Sequence, residues 1–437
     1  MDSLQSIKAQ LISQIHQLES EQHAISVCSA QVEGSVNLLA WLKAQPHYPQ
    51  CYFKLQQGES AFAAIGEVRA FDQLIAAQHF IEHADLSLFG GMTFNGDTYF
   101  FLPQLLLEQT QYRLTVKVFI DHADFKESKQ QALTFLKTLE KTTALLDVQS
   151  KATLSHRQAD QARWQHWVEQ ALAQIRSGYV DKLVLANETT FHLNAPLSAQ
   201  DFLAKSEAHN HGCYHFLLAK SPSSVFLGST PERLYARHQR RLTTEALAGT
   251  ALVSDDPAEN RQQAQWLLRD RKNIHENQLV AEGICANLSA FAKQIQLGEI
   301  GLKPLRRVQH LRREITALLT ENCTDLDCLK AIHPTAAVAG LPQQSAKTLL
   351  AQIENYDRSW YAGTLGFFNR GRAEFCVTIR SAFIEADKIR VFAGAGIVEG
   401  SVPLLEWQEI ERKAAGLISL LQITESKNGE KNVSKRI

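Results

Sequence analysis

FCVTIRSAFIEADKIRVFAGAGIVEGSVPLLEWQEIERK, residues Phe375 to Lys413, carries the densest structural signal in the chain. It reads as a strand from Phe375 to Phe383, a tight connection at Ala386-Asp387, a second strand from Ile389 to Phe392, a small-residue turn from Ala393 to Val398, and then a helix. In the first strand the period of two puts Arg380 on one face with Cys376, Thr378 and Ala382, while Phe375, Val377, Ile379 and Phe383 take the other. An arginine flanked by small side chains suggests a fixed anion site. Gly394 and Gly396 remove the side chains that would keep a ligand from the backbone N–H groups of Gly394, Ala395 and Gly396.

After Pro403, Trp407, Ile410, Ala414, Leu417 and Leu421 recur at three- and four-residue spacing, a core stripe. At about 100° per residue, Glu406, Glu409 and Lys413 form a second stripe beside it. Two readings stand. Glu409 and Lys413 are either an exposed i,i+4 pair, worth only about 0.3 to 0.5 kcal/mol, or charges at the margin of the core that face a ligand. Further acids and a matching lysine elsewhere favour the second.

Composition sets the bounds. A chain of 437 residues, 45% hydrophobic, can bury a large core and holds two or three domains' worth of material. Its formal net charge of -1 and the absence of a long basic block make nucleic acid and anionic membrane poor partners. The first twenty residues lack a basic start followed by an apolar core, and no apolar run is long enough to span a bilayer, so the expected location is the cytoplasm. The seven cysteines are scattered and form no CxxC pair, which speaks for reduced small hydrophobes and against a cysteine-built zinc site.

Taken in order, Leu4, Ile7, Leu11, Ile12, Ile15 and Leu18 predict an amphipathic N-terminal helix. Short runs between Cys51 and Leu106, together with the alternating Tyr112 to Ile120, predict antiparallel sheet. The polar stretch from Ser150 to Asp160 is the expected boundary, separating a variable first half (residues 1–150) from a catalytic region (160–423). The tail 424–437 is polar and charged and is expected to be disordered.

Lys182 shares a strand face with Val184 and Ala186. Burial there would lower its pKa and make it a usable base; the alternative is an edge-strand lysine that discourages aggregation. Glu232 follows Pro231 at the end of an apolar strand. Kept from water it would hold its proton to a higher pH and could donate it, unless it simply pairs with Arg233. Ala248-Gly249-Thr250 reads as a second small-residue turn. Asp255, Asp256 and Pro257 predict the start of one long helix, in which Glu276 faces inward with Leu279, Val280 and Gly283. An inward acid needs a partner, either a hard divalent cation or an arginine.

Taken together these pieces resemble the chorismate-utilising enzymes, the group of anthranilate, aminodeoxychorismate, salicylate and isochorismate synthases. The matching segments are Asp181 to Ala186, Gly228 to Glu232, Glu245 to Thr250, His275-Glu276-Asn277, Val308 to Leu311, His333 to Gly340, Trp360 to Gly363, Phe375 to Arg380, Ala393 to Val398 and Glu406 to Lys413. Their order matches the family's from Ala171 to Leu421, so together they are specific where each alone is weak. The resemblance implies an α/β (α+β) fold, anthranilate-synthase-like. In it two large, mostly antiparallel sheets pack as a sandwich with helices outside and enclose a polar, magnesium-dependent site; the N-terminal half belongs to the same architecture.

Ammonia-using members usually carry Gly-Thr where this chain has Ala336-Ala337, and an extra acid at the position of Asn273. The chain is therefore similar to the water-using branch that makes isochorismate for menaquinone. Leu39 to Gln50 resembles that branch even in the variable half. The resemblance implies Mg2+ held by Glu276 and Glu409, with Glu406 reaching it through a water. Chorismate's carboxylates would be assisted by Lys413, Arg380, Tyr361 and the Gly394-Ala395-Gly396 backbone, with Thr250 and Ala337 in the substrate site. His310 would either touch the ring or orient a neighbour. Lys182 would be the base towards a water attacking C2, and Glu232 the acid towards the C4 hydroxyl. The only partner implied is the small molecule chorismate; no obligate protein partner is. A salicylate synthase and a catalytically silent relative are the rival readings.

Overall fold

Alternation of apolar and polar residues dictates most of the architecture. In the strand Arg113–Asp121, Leu114, Val116 and Val118 are buried and Arg113 is exposed, as a half-buried sheet requires. The computed structural model describes residues 2–20, 24–56 and 60–423, in which strands assemble into a 13-stranded and a 10-stranded sheet. Pairing is antiparallel throughout the described strands except where Gln422–Ile423 runs parallel to the start of Lys151–Arg157. Helices cover the sheets: Arg271–Leu288 lies on the strands Arg241–Leu252 and Val308–Leu319, and Pro403–Ile418 lies on Lys388–Ile397.

The two halves of the sequence interleave. Gln50–Lys54 pairs with Tyr214–Ser221 in the larger sheet, and Leu88–Met92 pairs with Thr364–Phe368 in the smaller. Between the sheets an aromatic cluster draws on both halves and both layers: the Phe62 ring lies 4.8 Å from that of Phe367, tilted by 50°, with Phe53 and Phe89 at 6.2 and 5.8 Å from the same ring. The polar stretch expected as a boundary is instead the strand Lys151–Arg157, paired with Lys182–Leu193. One core runs through both halves. The tail 424–437 lies outside the described residues.

The opening stretch is where the structure departs most from simple periodicity. Phe375 to Phe383 is not one strand: Arg372–Val377 belongs to the smaller sheet and Ser381–Glu385 to the larger, and the chain crosses between layers at Thr378 to Arg380. Arg380 takes a left-handed φ of 51° at this crossing, so the strand-face argument for its direction fails. The conformation is held by Ser229 N–H donating to Arg380 O (3.1 Å) and by the Ser381 hydroxyl donating to Thr378 O (3.1 Å).

Ala393 to Val398 is not a turn either. Its residues continue the strand Lys388–Ile397, and the connection at Ala386 (φ 53°) is tight as expected. The helix expected from Pro257 is two helices, Pro257–Leu267 and Arg271–Leu288. Asp270 caps the second by accepting from Asn273 N–H at 2.9 Å.

Candidate active site

The crossover at Arg380 opens the site. Ser381–Glu385 pairs with Lys388–Ile397 only as far as Ala382 opposite Val391, so Gly394 and Gly396 run on past that partner and face a cavity. On its other edge the same strand pairs with Lys182–Leu193, Gly396 opposite Val184. Glu232, Thr250, Glu276, His310, Ala337, Tyr361, Arg380, Glu409 and Lys413 line the cavity with the two glycines. The structure thus brings together residues from widely separated parts of the chain.

Three expected positions stand back from the wall. Ala395 points to the opposite face of its strand and is fully buried there. Lys182 lies behind Gly396, and Glu406 is engaged elsewhere.

Thr250 and His310 reach the cavity because of a bulge. Leu247 pairs with Arg312 but Thr250 with His310, so Ala248-Gly249 is an insertion in a long strand rather than a turn. Gly249, at φ +86°, makes it possible. A chain of polar contacts then crosses the site. The Arg380 guanidinium, which can only donate, lies 3.4 Å from His310 Nε2, so that nitrogen accepts and the proton sits on Nδ1. His310 Nδ1 faces Gly249 O at 3.3 Å and Thr250 Oγ1 at 3.2 Å. Thr250 donates onward to Glu409 Oε1 at 3.3 Å.

Glu409 pairs with Lys413 at 2.6 Å, and Lys413 donates to Gly394 O at 2.9 Å. Burial, then the charges of Arg380 and Lys413, push the His310 pKa down to about 3. His310 is therefore a neutral orienting group for Arg380 as well as part of the wall. Burial would raise Glu409, but the Lys413 ammonium outweighs it and holds the carboxylate at about 2.

The two acid–base candidates sit in different surroundings. Glu232 is 3% exposed, and burial together with the Glu245 carboxylate raises its pKa to about 8. Its neighbour Arg233 does not neutralise it: Arg233 donates to Tyr214 Oη at 2.8 Å and lies 3.8 Å from Glu374. Lys182 is fully buried, with its amine 3.0 Å from Glu276 Oε1. The partner of the inward acid is thus a lysine rather than an arginine. In the larger sheet, Ser381–Glu385 and Lys388–Ile397 stand between the strand that leads to Glu232 and the one that begins at Lys182. Acid and amine therefore approach from different sides.

Sequence reasoning passed over several residues that build the site. Lys272 pairs with Glu406 at 2.7 Å and also feels the charges of Glu276 and Glu409, so three carboxylates gather round one ammonium. Its i,i+4 relation to Glu276 was the available signal. Glu406, buried and beside Glu409, is raised to about 7. Glu245 is held by Lys303 at 2.9 Å and by Arg312. The buried pair Glu354–Arg358 ties the Lys182 strand to the loop carrying Ala337: Arg358 donates to Val184 O (2.6 Å) and Val338 O (2.8 Å), and Glu354 accepts from Ala186 N–H (2.8 Å).

Glu276 and Glu409 are the residues here that could hold a hard cation such as magnesium. Both carboxylates line the cavity, and the Lys272 ammonium, which feels Glu276, Glu406 and Glu409 together, marks the region as cation-attracting. Among the described residues no three His, Cys, Asp or Glu side chains group closely enough to hold a metal alone.

Comparison with known proteins agrees with this architecture. The family described as "Chorismate binding enzyme" matches residues 87–422. Isochorismate synthase MenF of Pasteurella multocida is 55% identical over 427 residues, 97% of this chain and 99% of that protein. The solved structure of the menaquinone-specific isochorismate synthase from Escherichia coli superposes with a TM-score of 0.90 at 36% identity, covering 96% of this chain and 100% of that one. Anthranilate synthase component I from Streptococcus pneumoniae shares the fold, with a TM-score of 0.63 at 20% identity over 92% of this chain and 93% of that one. With a cavity of this construction and likeness along nearly its whole length, the chain belongs to the chorismate-binding enzymes.

Proposed function

We propose that the protein is an isochorismate synthase, a magnesium-dependent isomerase acting in the cytoplasm for menaquinone biosynthesis. It would convert chorismate reversibly into isochorismate by adding water at C2 and losing the C4 hydroxyl. The observation that carries this reading is a buried Glu232 lining the cavity, its carboxyl pushed up to about 8, with the buried Lys182 behind Gly396, in a chain alike almost end to end to relatives of that name. No described helix is long and apolar enough to cross a membrane.

In this mechanism Lys182 acts as a neutral amine and takes a proton from the water that attacks C2. Its pair with Glu276 must part for that to happen. Glu232 gives its proton to the C4 oxygen, which leaves as water while the ring double bonds shift; in reverse the two exchange roles. Arg380 and Lys413 hold the substrate's carboxylates, helped by the Tyr361 hydroxyl and the Gly394 to Gly396 backbone. His310 and Thr250 keep Arg380 and Glu409 aimed, and the small Ala337 side chain leaves room for the water. Glu276 and Glu409 are the residues that would hold magnesium, with Glu406 behind them. The chemistry the bound ion supplies is charge neutralisation and polarisation at the ring carboxylate.

Product chromatography after incubation with chorismate and Mg2+ tests the reading. Isochorismate is expected; salicylate with release of pyruvate would move the protein to the rival branch. Lys182→Ala and Glu232→Gln should each lower turnover by about 10²- to 10⁴-fold, and full activity in either would remove the assigned acid–base pair. Calorimetry with Mg2+ should show lost binding in Glu276→Ala/Glu409→Ala.

A further inference from the structure

Beside the catalytic cavity lies a second, outer one, and Pro231, Arg380 and Lys413 line both. The other side chains of the outer cavity that carry a permanent charge are Arg306, Arg307 and Arg412. No Asp or Glu lines it, whereas Glu232, Glu276 and Glu409 line the inner one. Arg306 and Arg307 stand exposed in the connection between Gly301–Pro304 and Val308–Leu319, and Arg412 is half-buried just before Lys413 on the helix Pro403–Ile418.

Arginines nearby are neutralised: Arg312 by Glu245 and Glu314, Arg157 by Glu411. Among the described residues the guanidinium groups of Arg306, Arg307 and Arg412 make no ion pair and no side-chain hydrogen bond. Cations left unpaired round a concavity repel one another and focus a positive field into it, within a Debye length of about 8 to 10 Å. An anion is the chemistry that offsets this.

We propose that the outer cavity is an anion-binding antechamber, the route by which a doubly charged carboxylate reaches the inner cavity and the product leaves. Arg306, Arg307 and Arg412 supply the attraction, and Arg380 and Lys413, facing both rooms, take over the carboxylates at the shared wall. The inference rests on the proposed function for the substrate's charge, since chorismate carries two carboxylates. A second observation makes the route testable by shape as well as charge. Of the two cavities Gly416 lines only the outer one, and a Cβ there would meet nothing within 4 Å, so position 416 offers a place to add bulk on the outer side.

The test is the initial rate of isochorismate formation from chorismate and Mg2+, measured across a range of NaCl concentrations. It compares the full-length protein with Arg306→Gln/Arg307→Gln/Arg412→Gln and with Gly416→Trp, after circular dichroism and melting curves have matched the folds. The triple variant should lose about tenfold or more in kcat/KM at low salt, through KM with kcat held, and its salt dependence should flatten. Gly416→Trp should lower kcat/KM while Mg2+ binding stays unchanged by calorimetry. If the protein turns chorismate over and the triple variant keeps both its kcat/KM and its salt dependence, the antechamber is overturned and the proposed function stands, whatever the plug variant does. If the protein leaves chorismate unchanged, the functional reading falls. Calorimetric binding of chorismate to the same variants then decides the antechamber: weakened binding supports it and equal binding overturns it.

Discussion

Glu232 shows how a single carboxyl group is made to hold a proton near neutral pH. Burial raises its pKa to about 8 from 4.5, and Glu245 adds to the rise. Below about pH 4.5 the group is protonated both folded and unfolded, so it contributes no pH dependence. Between the two values the native state keeps a proton that the unfolded chain has lost. Stability therefore falls as pH rises, by about 3 kcal/mol at pH 7 relative to pH 4 from this group alone. Glu232→Gln removes that slope, so melting curves from pH 5 to 8 should show the variant gaining on the parent as pH rises even though its turnover is lost. Turnover of the parent in the direction that uses Glu232 as acid should decline above about pH 8, read from initial rates across pH.

Gly396 makes the opposite point, that an absent side chain can be a requirement. A methyl there would lie 2.1 Å from Glu276 Oε1 and 3.0 Å from Lys182 Cε. The clash is with the ends of two side chains rather than with backbone, so Gly396→Ala should melt within a few degrees of the parent. Its turnover should fall by about 10²-fold or more, as displaced reacting groups predict, and its Mg2+ affinity, measured by calorimetry, should weaken.

At the scale of elements, the helix Arg271–Leu288 is positioned by polar contacts that its amphipathic pattern does not reveal. The Asn277 amide reaches Ala246 O, Ala248 O and Leu311 O at 3.1 to 3.2 Å, clamping the helix to both strands of the bulged pair. Asn273 accepts from Thr250 N–H at 3.1 Å, just past the bulge. Glu276 is thereby fixed to the same strand that presents Thr250. Asn277→Leu strands these carbonyls in the core and should cost about 1 to 3 kcal/mol in chemical denaturation, with a drop in Mg2+ affinity because Glu276 moves with the helix. Asp270→Ala removes the cap together with the bond Asp270 accepts from the Asn273 amide at 2.7 Å, and should cost about 1 kcal/mol or more.

At the scale of the whole molecule, the interleaving of the two halves means that the polar stretch 150–160 is no place to cut. Removing residues 1–159 would expose the edges of Tyr214–Ser221 and Thr364–Phe368 and unpack Phe367. A 160–437 fragment is therefore expected to be insoluble or to lack a cooperative transition, whereas calorimetry of the full chain should show one main transition. Independent folding of the fragment would contradict a shared core.

Read alone, the sequence picked out most of the side chains that meet at the cavity and which way several of them face. A lysine on an apolar strand, an acid after a strand-ending proline, an inward acid on a helix, and a closely spaced glycine pair are properties of local period and residue type. Lys182, Glu232, Glu276, Gly394 and Gly396 were legible for that reason. The direction of Arg380, the pairing of Lys182 with Glu276, and the gathering of Glu276, Glu406 and Glu409 round Lys272 were not. Each depends on a strand changing sheets, a bulge displacing its register, or helices remote in sequence meeting over one strand. Contacts of that kind are set by how whole layers pack, which no period of 2 or 3.6 encodes.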